Sequence, residues 1–161
     1  MIKVKTILMP VDYHDYSPHT LAYGKEYARH FNAQIVLVYA VEPYRMRISM
    51  EQIENVPENR AEAAVSAEEV ARFRLKHLAE NEFNGFPVIS DVRPGHPHDA
   101  IVLSAREHLA DIIIMATHGL TGLEHVLIGS VSEKVISRAP CPVLVIREPV
   151  DRGDLKFRKD T

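Results

Sequence analysis

Glycine and serine residues in the second half of the chain have the types and spacing that could hold a phosphate group. Gly119 and Gly122 allow positive φ and close approach of the backbone to a ligand. Gly129 and Ser130 stand where a helix is predicted to begin, and the free N–H groups and dipole of a helix N-terminus favour an anion. The hydroxyls of Ser130 and Ser132 could donate to phosphate oxygens. A phosphate site and a plain turn, with Ser130 as a helix cap, fit these residues about equally well.

A second group of residues with chemical potential follows the first apolar run of the chain. Pro10, Val11 and Asp12 come directly after residues 6–9. The carboxylate of Asp12 could approach a Mg²⁺ ion carried by a phosphate, or serve only as a loop carboxylate or helix cap. In open α/β sheets, ligands bind beyond the carboxyl ends of the strands. Both groups of residues are expected at such ends.

Metal and nucleophilic chemistry find less support in the sequence. The chain has nine histidines and one cysteine, and no arrangement of them has the spacing of zinc ligands, although His96 and His98 flank Pro97. Cys141 is expected to be a small buried residue rather than a reactive thiolate. The chain lacks the Gly-x-Ser-x-Gly motif of a nucleophilic serine. His118 lies inside the glycine loop, where phosphate contact and ordinary loop geometry explain it equally well.

Short apolar runs alternate with amphipathic stretches, and this alternation places the candidate residues. The predicted strands are residues 6–9, 34–39, 88–92, 112–115 and 143–146. The predicted helices begin near residues 17, 59, 96 and 130, three of them at Ser-Pro, His-Pro or Gly-Ser steps. Strands that alternate with helices favour a doubly wound parallel sheet, because the crossovers between parallel strands are right-handed.

Each helix is expected to turn an apolar face to the sheet. The core candidates are Leu21, Ala22, Tyr27, Ala28 and Phe31 in the first helix, Val65, Val70, Phe73, Leu75 and Leu78 in the second, and Ile101, Val102, Ala105 and Leu109 in the third. Residues 42–60 break this pattern and are predicted to form a long connection. Long loops are often functional, so this one could cover a ligand or contact a second subunit.

The composition predicts an ordinary globular protein. The chain has 161 residues, 46% of them hydrophobic and 25% charged, which suits one domain. A net charge of −3 gives no reason to expect binding to nucleic acid or to anionic membranes. No apolar run approaches the ~20 residues of a membrane span, and no secretory signal is evident, so we expect a cytoplasmic protein. We expect the domain to cover residues 1–148, followed by a charged tail at 149–161.

The motifs around the glycines resemble those of the universal stress protein family. The resemblance is carried by residues 114–122 and 127–135, by the closing segment 139–146 and by the opening segment 7–12. It extends to about Glu148. The combination of these segments is far more specific than a single pair of glycines.

The nucleotide-binding branch of that family has a pattern of Gly, two residues, Gly, nine residues, then Gly followed by Ser or Thr. Gly119 and Gly129-Ser130 match it, with nine residues between the two glycines. Ala116 stands where the pattern has its first glycine. Its methyl group could crowd the nucleotide, or be harmless if the φ of Ala116 is negative.

The resemblance implies an open five-stranded parallel sheet of order 3-2-1-4-5 with helices on both faces. It also implies that ATP, ADP or AMP binds together with Mg²⁺. Pro10 and Val11 would line the adenine side, Val41 would offer backbone groups to the adenine edge, and Asp12 would lie near the adenosine or Mg²⁺. The nucleotide-site residues implied in this way are Pro10, Val11, Asp12, Val41, Met115, Ala116, His118, Gly119, Gly122, Gly129, Ser130, Val131 and Ser132.

The resemblance further implies a homodimer formed through the last strand, Val143 to Ile146. An exposed apolar edge strand would otherwise promote aggregation. Three functions stay open: a dimeric regulator of the stress response that responds to nucleotide, a weak Mg²⁺-dependent ATPase, and a dimer that binds partners but no nucleotide. No catalytic residue is implied, because no general base for the γ-phosphate can be named.

Overall fold

Strands and helices alternate throughout residues 2–12, 17–42, 60–117 and 129–147, which are the residues that the computed structural model of the protein describes. Side chains are described in these ranges except at residues 60–66. The elements are β1 Thr6–Pro10, α1 Pro18–Phe31, β2 Gln34–Val41, α2 Arg60–Glu82, β3 Val88–Pro94, α3 Pro97–Glu107, β4 Ile112–Ala116, α4 Ser130–Arg138 and β5 Val143–Ile146.

The strands form a parallel sheet in the order β3-β2-β1-β4-β5, which confirms the predicted fold. Ile7, Leu8 and Met9 of the central strand are almost completely buried because helices cover both faces of the sheet. The chain order reverses beside β1, since β2 lies on one side of it and β4 on the other. This reversal opens a crevice at the carboxyl ends of β1 and β4.

Two hydrophobic cores fill the two faces of the sheet. Leu21 of α1 and Leu75 of α2 pack on one face, and Ile101 of α3 and Val135 of α4 pack on the other. The helices are therefore paired, α1 with α2 and α3 with α4. Each pair begins at the same edge of the sheet, where the parallel strands end.

Two of the core predictions for α2 are wrong. Val70 is 47% exposed and Phe73 is 71% exposed. The buried stripe of α2 consists instead of Ala71, Leu75 and Leu78, whose spacing of four and three residues follows one face of a helix. Phe73 lies two residues from both Ala71 and Leu75, which places it on the opposite side.

Leu109 and Ala22 were also predicted to face the core and do not. Leu109 is 81% exposed, because α3 ends at Glu107 and the chain then turns through Leu109 with a φ of 50°. Ala22 is exposed on α1. The side chain of Val65, the connection 43–59 and the tail 149–161 lie outside the described residues.

A polar network ties the edge strand β3 to the end of α3. Asp91 Oδ2 accepts hydrogen bonds from Ser104 Oγ at 2.7 Å and from Arg93 Nε at 2.7 Å, and it lies 3.1 Å from His108 Nε2. Arg93 also pairs with Glu107. No helix in the described part of the chain is long and apolar enough to cross a membrane.

Candidate functional site

A cleft of about 450 Å³ lies at the carboxyl ends of β1, β2 and β4. Its position is the point where the strand order reverses, and its volume is in the usual range for a small-molecule site. The first residues of three helices also line it: Ser17 and Thr20 at α1, His96 to His98 at α3, and Gly129 to Ser132 at α4. Because each helix presents its positive end, the cleft suits an anionic ligand.

Most of the predicted site residues come together in this cleft. Those that line it are Pro10, Val11, Asp12, Met115, Ala116, Gly129, Ser130, Val131 and Ser132. Val41 is buried, and its carbonyl accepts a hydrogen bond from Gly95 N at 3.0 Å, while its neighbours Ala40 and Glu42 line the cleft. His118, Gly119 and Gly122 lie outside the described residues.

The N-terminus of α4 lines the cleft and carries backbone donors that have no acceptor within the helix. Gly129 is the N-cap, and Glu133 N donates the first hydrogen bond into the helix, to Gly129 O at 3.0 Å. The amides of Ser130, Val131 and Ser132 precede that bond, so they have no acceptor within the helix. These amides can bind an anion. Ser130 is the first helical residue rather than the cap, so the cap interpretation of Ser130 is wrong.

The end of β4 holds the start of α4 in place. Gly129 N donates to Thr117 O at 3.1 Å, and Ser132 Oγ donates to Ala116 O at 3.2 Å. The Ser132 hydroxyl therefore donates its proton within the protein and not, as the sequence predicted, to a phosphate. A Cβ on Gly129 would lie 2.7 Å from Thr117 O, a spacing that real Cβ atoms do not show. Glycine at 129 is therefore required for the close approach of α4 to β4.

Ala116 causes no backbone strain. It is the last residue of β4 and pairs with Ile146. Within the described ranges, the non-glycine residues with positive φ are Asn32 and Leu109, so Ala116 has an ordinary strand conformation. The condition under which its methyl group was expected to be harmless, a φ that is not positive, is therefore met.

Asp12 lies two residues beyond the end of β1. Val11 N donates to Val38 O at 3.0 Å, which continues the pairing of β1 with β2 beyond Pro10. Asp12 is the next residue and lines the cleft. Its position fits a role near a bound ligand, and the cap of α1 is Ser17, whose Oγ accepts from Thr20 N at 3.0 Å. The helix-cap alternative for Asp12 is therefore not needed.

The sequence matches the universal stress protein family over residues 3–147. The chain belongs to this family. It is 33% identical over 150 residues to universal stress protein MJ0531 of Methanocaldococcus jannaschii, a match that covers 90% of this chain and 83% of the relative. It is also 33% identical over 144 residues to a universal stress protein of Thermus aquaticus, which covers 89% of this chain and 98% of the relative.

Solved structures of universal stress proteins share the fold. The structure of MJ0577 from M. jannaschii superposes with a TM-score of 0.75 at 28% identity, covering 93% of this chain and 100% of that one. Two more distant structures, each 21% identical, have TM-scores of 0.58 and 0.56. The first, a universal stress protein in complex with cAMP, matches 92% of this chain and 100% of its own length. The second, from Archaeoglobus fulgidus in complex with dAMP, matches 90% of this chain and 99% of its own length.

Several residues of the cleft in this universal stress protein were not predicted as ligand contacts. They are Thr20 on α1, His96 and His98 at α3, and Lys134 on α4. The sequence could have predicted some of these contacts, because helices between parallel strands begin at the edge of the sheet where the strands end. Applying that rule to the starts of α1 and α3 would have found Thr20 and the two histidines.

The hydroxyl of Thr20, which lines the cleft, has no partner among the residues that the structure describes. Its oxygen, Oγ1, is buried. We expect Thr20→Val to raise the free energy of unfolding by about 1 kcal/mol, because the valine keeps the shape and removes an unsatisfied polar group. Urea denaturation of the protein without ligand measures this change.

Thr6 provides a matched control for that substitution. Thr6 and Thr20 are both 5% exposed, but Thr6 Oγ1 accepts a hydrogen bond from Gln34 Nε2 at 2.9 Å. Thr6→Val should therefore lower stability by about 1 kcal/mol. A loss at Thr20 as large as the loss at Thr6 would contradict the expectation.

Proposed function

We propose that this universal stress protein binds an adenine nucleotide, ATP above all, in the cleft and acts as a dimeric regulator that responds to nucleotide. The observation that supports the proposal most is the start of α4. Three backbone amides, those of Ser130, Val131 and Ser132, face a cleft at the switch point of the sheet, and Gly129 fixes them there. Such an arrangement suits a phosphate group.

The apolar part of the cleft offers a place for the base. Met9, Val11 and Leu21 line it on the side of β1 and α1. A nucleotide has an apolar ring and anionic phosphates, and the cleft is lined both by apolar side chains and by helix N-termini. The complexes of two family members with cAMP and dAMP support an adenine ring as the base.

The residues that line the cleft include oxygen ligands of the kind that magnesium prefers. Mg²⁺ prefers oxygen ligands and commonly binds through one carboxylate together with substrate phosphates. Asp12 and the hydroxyl of Ser130 supply such oxygens along the cleft. Asp12 would hold the ion, and the ion would neutralise part of the phosphate charge.

The dimer is the second part of the proposal. β5 pairs with β4 on one side and forms an edge of the sheet. Val143, Leu144 and Val145 are partly exposed at this edge. A second copy that pairs with β5 would cover these apolar residues. Cytoplasmic location stays a prediction from the composition of the chain.

Titration calorimetry with ATP and Mg²⁺ tests the proposal directly. We expect micromolar affinity in the wild type and in Ser137→Ala, a control on the far end of α4 whose hydroxyl donates to Lys134 O of its own helix. Sedimentation equilibrium with and without ATP tests the dimer and its response. Folded wild-type protein that binds no adenine nucleotide would refute the binding function. ATP turnover during the titration would instead favour a weak ATPase.

A further inference from the structure

Two histidines at the start of α3 lie on the wall of the cleft. His96 and His98 both line it, and their rings stack at a centroid distance of 5.9 Å with an angle of 12° between the planes. His98 is the more buried of the two, because 14% of its side chain is exposed, against 73% for His96. Lys134 of the neighbouring helix α4 lines the same cleft. We call His96 and His98 the histidine pair.

The charges around the histidine pair are close to balanced when both rings are neutral. Glu42 lies 3.8 Å from His96 Nδ1, and Asp99 lies 3.4 Å from His98 Nε2. The cations that act on His98 are Lys134 and Arg138, and Arg138 also pairs with Asp99 at 3.3 Å. Among the residues that the structure describes, these two carboxylates offset these two cations. Protonation of the imidazoles would therefore add positive charge to this wall.

Without a ligand, the surroundings favour the neutral form of His98. Burial lowers its pKa below the ordinary value. Asp99 opposes this effect, while the charges of Lys134, Arg138 and His96 add to it. A bound anion would reverse the balance, because a negative charge within a few ångströms favours the protonated imidazole.

We propose that the histidine pair and Lys134 form the cationic wall that receives the phosphate chain of the nucleotide, so that binding of the phosphates draws protons onto the pair. The inference rests on the proposed nucleotide binding and assigns a further part of the same cleft. The amides at the start of α4 hold one phosphate group, and the histidine pair at the start of α3, which lines the same cleft, receives the others. A protonated imidazole donates from both ring nitrogens, which suits phosphate oxygens.

The sign of the pH dependence follows from this linkage. Since the bound phosphates stabilise the protonated form of His98, affinity is greatest at low pH. It falls as the pH rises from the pKa of His98 without ligand, which lies below the ordinary value, to the higher pKa of the complex, within the range of about 5 to 8 in which histidine titrates. If the phosphates shift one ring by about one pKa unit, the affinity falls about tenfold across that range. Adenosine carries no phosphate and should bind without proton uptake.

The test is calorimetry of Mg²⁺-ATP binding near pH 7 in buffers of different ionisation enthalpy, which counts the protons taken up. The wild type is compared with His98→Asn, His98→Gln, the double replacement of His96 and His98 by Asn, and His77→Asn. His77 lies on α2, away from the cleft, and serves as the control. Any proton exchanged by ATP itself is the same for all variants and cancels. Circular dichroism establishes that each variant is folded, and the glutamine variant replaces the asparagine one if that fails to fold.

We expect proton uptake by the wild type and by His77→Asn, and a loss of it, with a weaker dependence of affinity on pH, in the histidine-pair variants. Equal proton uptake by the wild type and the double variant, with ATP bound by both, overturns this inference and leaves nucleotide binding standing. Equal uptake with adenosine and with ATP overturns the assignment to the phosphate chain. Failure of folded wild-type protein to bind ATP at any pH between about 6 and 8 overturns the proposed function itself.

Discussion

Gly129→Ala is expected to weaken ATP binding at least about tenfold, which corresponds to about 1.4 kcal/mol. The added Cβ would meet Thr117 O at 2.7 Å. Because that atom belongs to the backbone, it cannot rotate away as a side chain could. The start of α4 must move from β4, and the amides of Ser130, Val131 and Ser132 move with it. Titration calorimetry measures the loss.

Gly85→Ala is the matched control for this substitution. Gly85 lies in the turn between α2 and β3 with a φ of 87°, and a Cβ there would meet nothing within 4 Å. Alanine at this position costs about 1 kcal/mol of stability through its backbone conformation, without touching the cleft. It should therefore lower the unfolding midpoint and preserve ATP affinity. If Gly129→Ala binds ATP as tightly as Gly85→Ala does, the start of α4 is not the phosphate site.

Asp91→Ala is expected to lower the free energy of unfolding by about 2–3 kcal/mol at pH 7. The substitution removes the acceptor of the hydrogen bonds from Ser104 and Arg93 and leaves Arg93, whose side chain is 14% exposed, without its inner carboxylate. The contact between β3 and the end of α3 should loosen. Guanidinium denaturation measures the change, and Glu107→Ala, at the exposed end of the same network, should cost much less.

Acid should reduce the difference between wild type and Asp91→Ala. Burial raises the pKa of Asp91, but the hydrogen bonds from Ser104 and Arg93, the charge of Arg93 and the contact with His108 together hold this pKa below its ordinary value. The ionised carboxylate therefore stabilises the fold fully above the unfolded-state pKa of about 3.9, and this stabilisation disappears as the pH falls through the lower pKa of the folded state. A difference that stays constant down to pH about 3 would contradict this account.

The sequence alone predicted the sheet and the place of the candidate site. Runs such as residues 34–39 are apolar on both faces, which favours a strand covered on both sides, and the alternation with helices predicted parallel connections. The glycine and serine pattern around Gly129 predicted the start of a helix that could bind phosphate, and the structure has a helix beginning at Ser130 beside the cleft. These features depend on neighbours along the chain, so local patterns reveal them.

Which face of a helix is buried proved harder to predict. Phe73 was assigned to the core by its hydrophobicity, but Ala71, Leu75 and Leu78 form the stripe that contacts the sheet. A long helix rich in alanine has more than one face that could be buried, and only its packing on β2 and β3 selects one. Leu109 was misplaced for a related reason, because the end of α3 depends on the turn that leads the chain into β4.

The composition of the cleft was decided by tertiary structure. His98 and Lys134 lie 36 positions apart in sequence and line the same cleft because α3 and α4 pack side by side on one face of the sheet. Thr20 reaches the cleft from the opposite face. Strand order decides which helix N-termini become neighbours, and strand order is set by contacts between distant parts of the chain. Local sequence can therefore predict one helix start that suits a phosphate group. The convergence of three helix starts on one cleft is a property of the folded sheet.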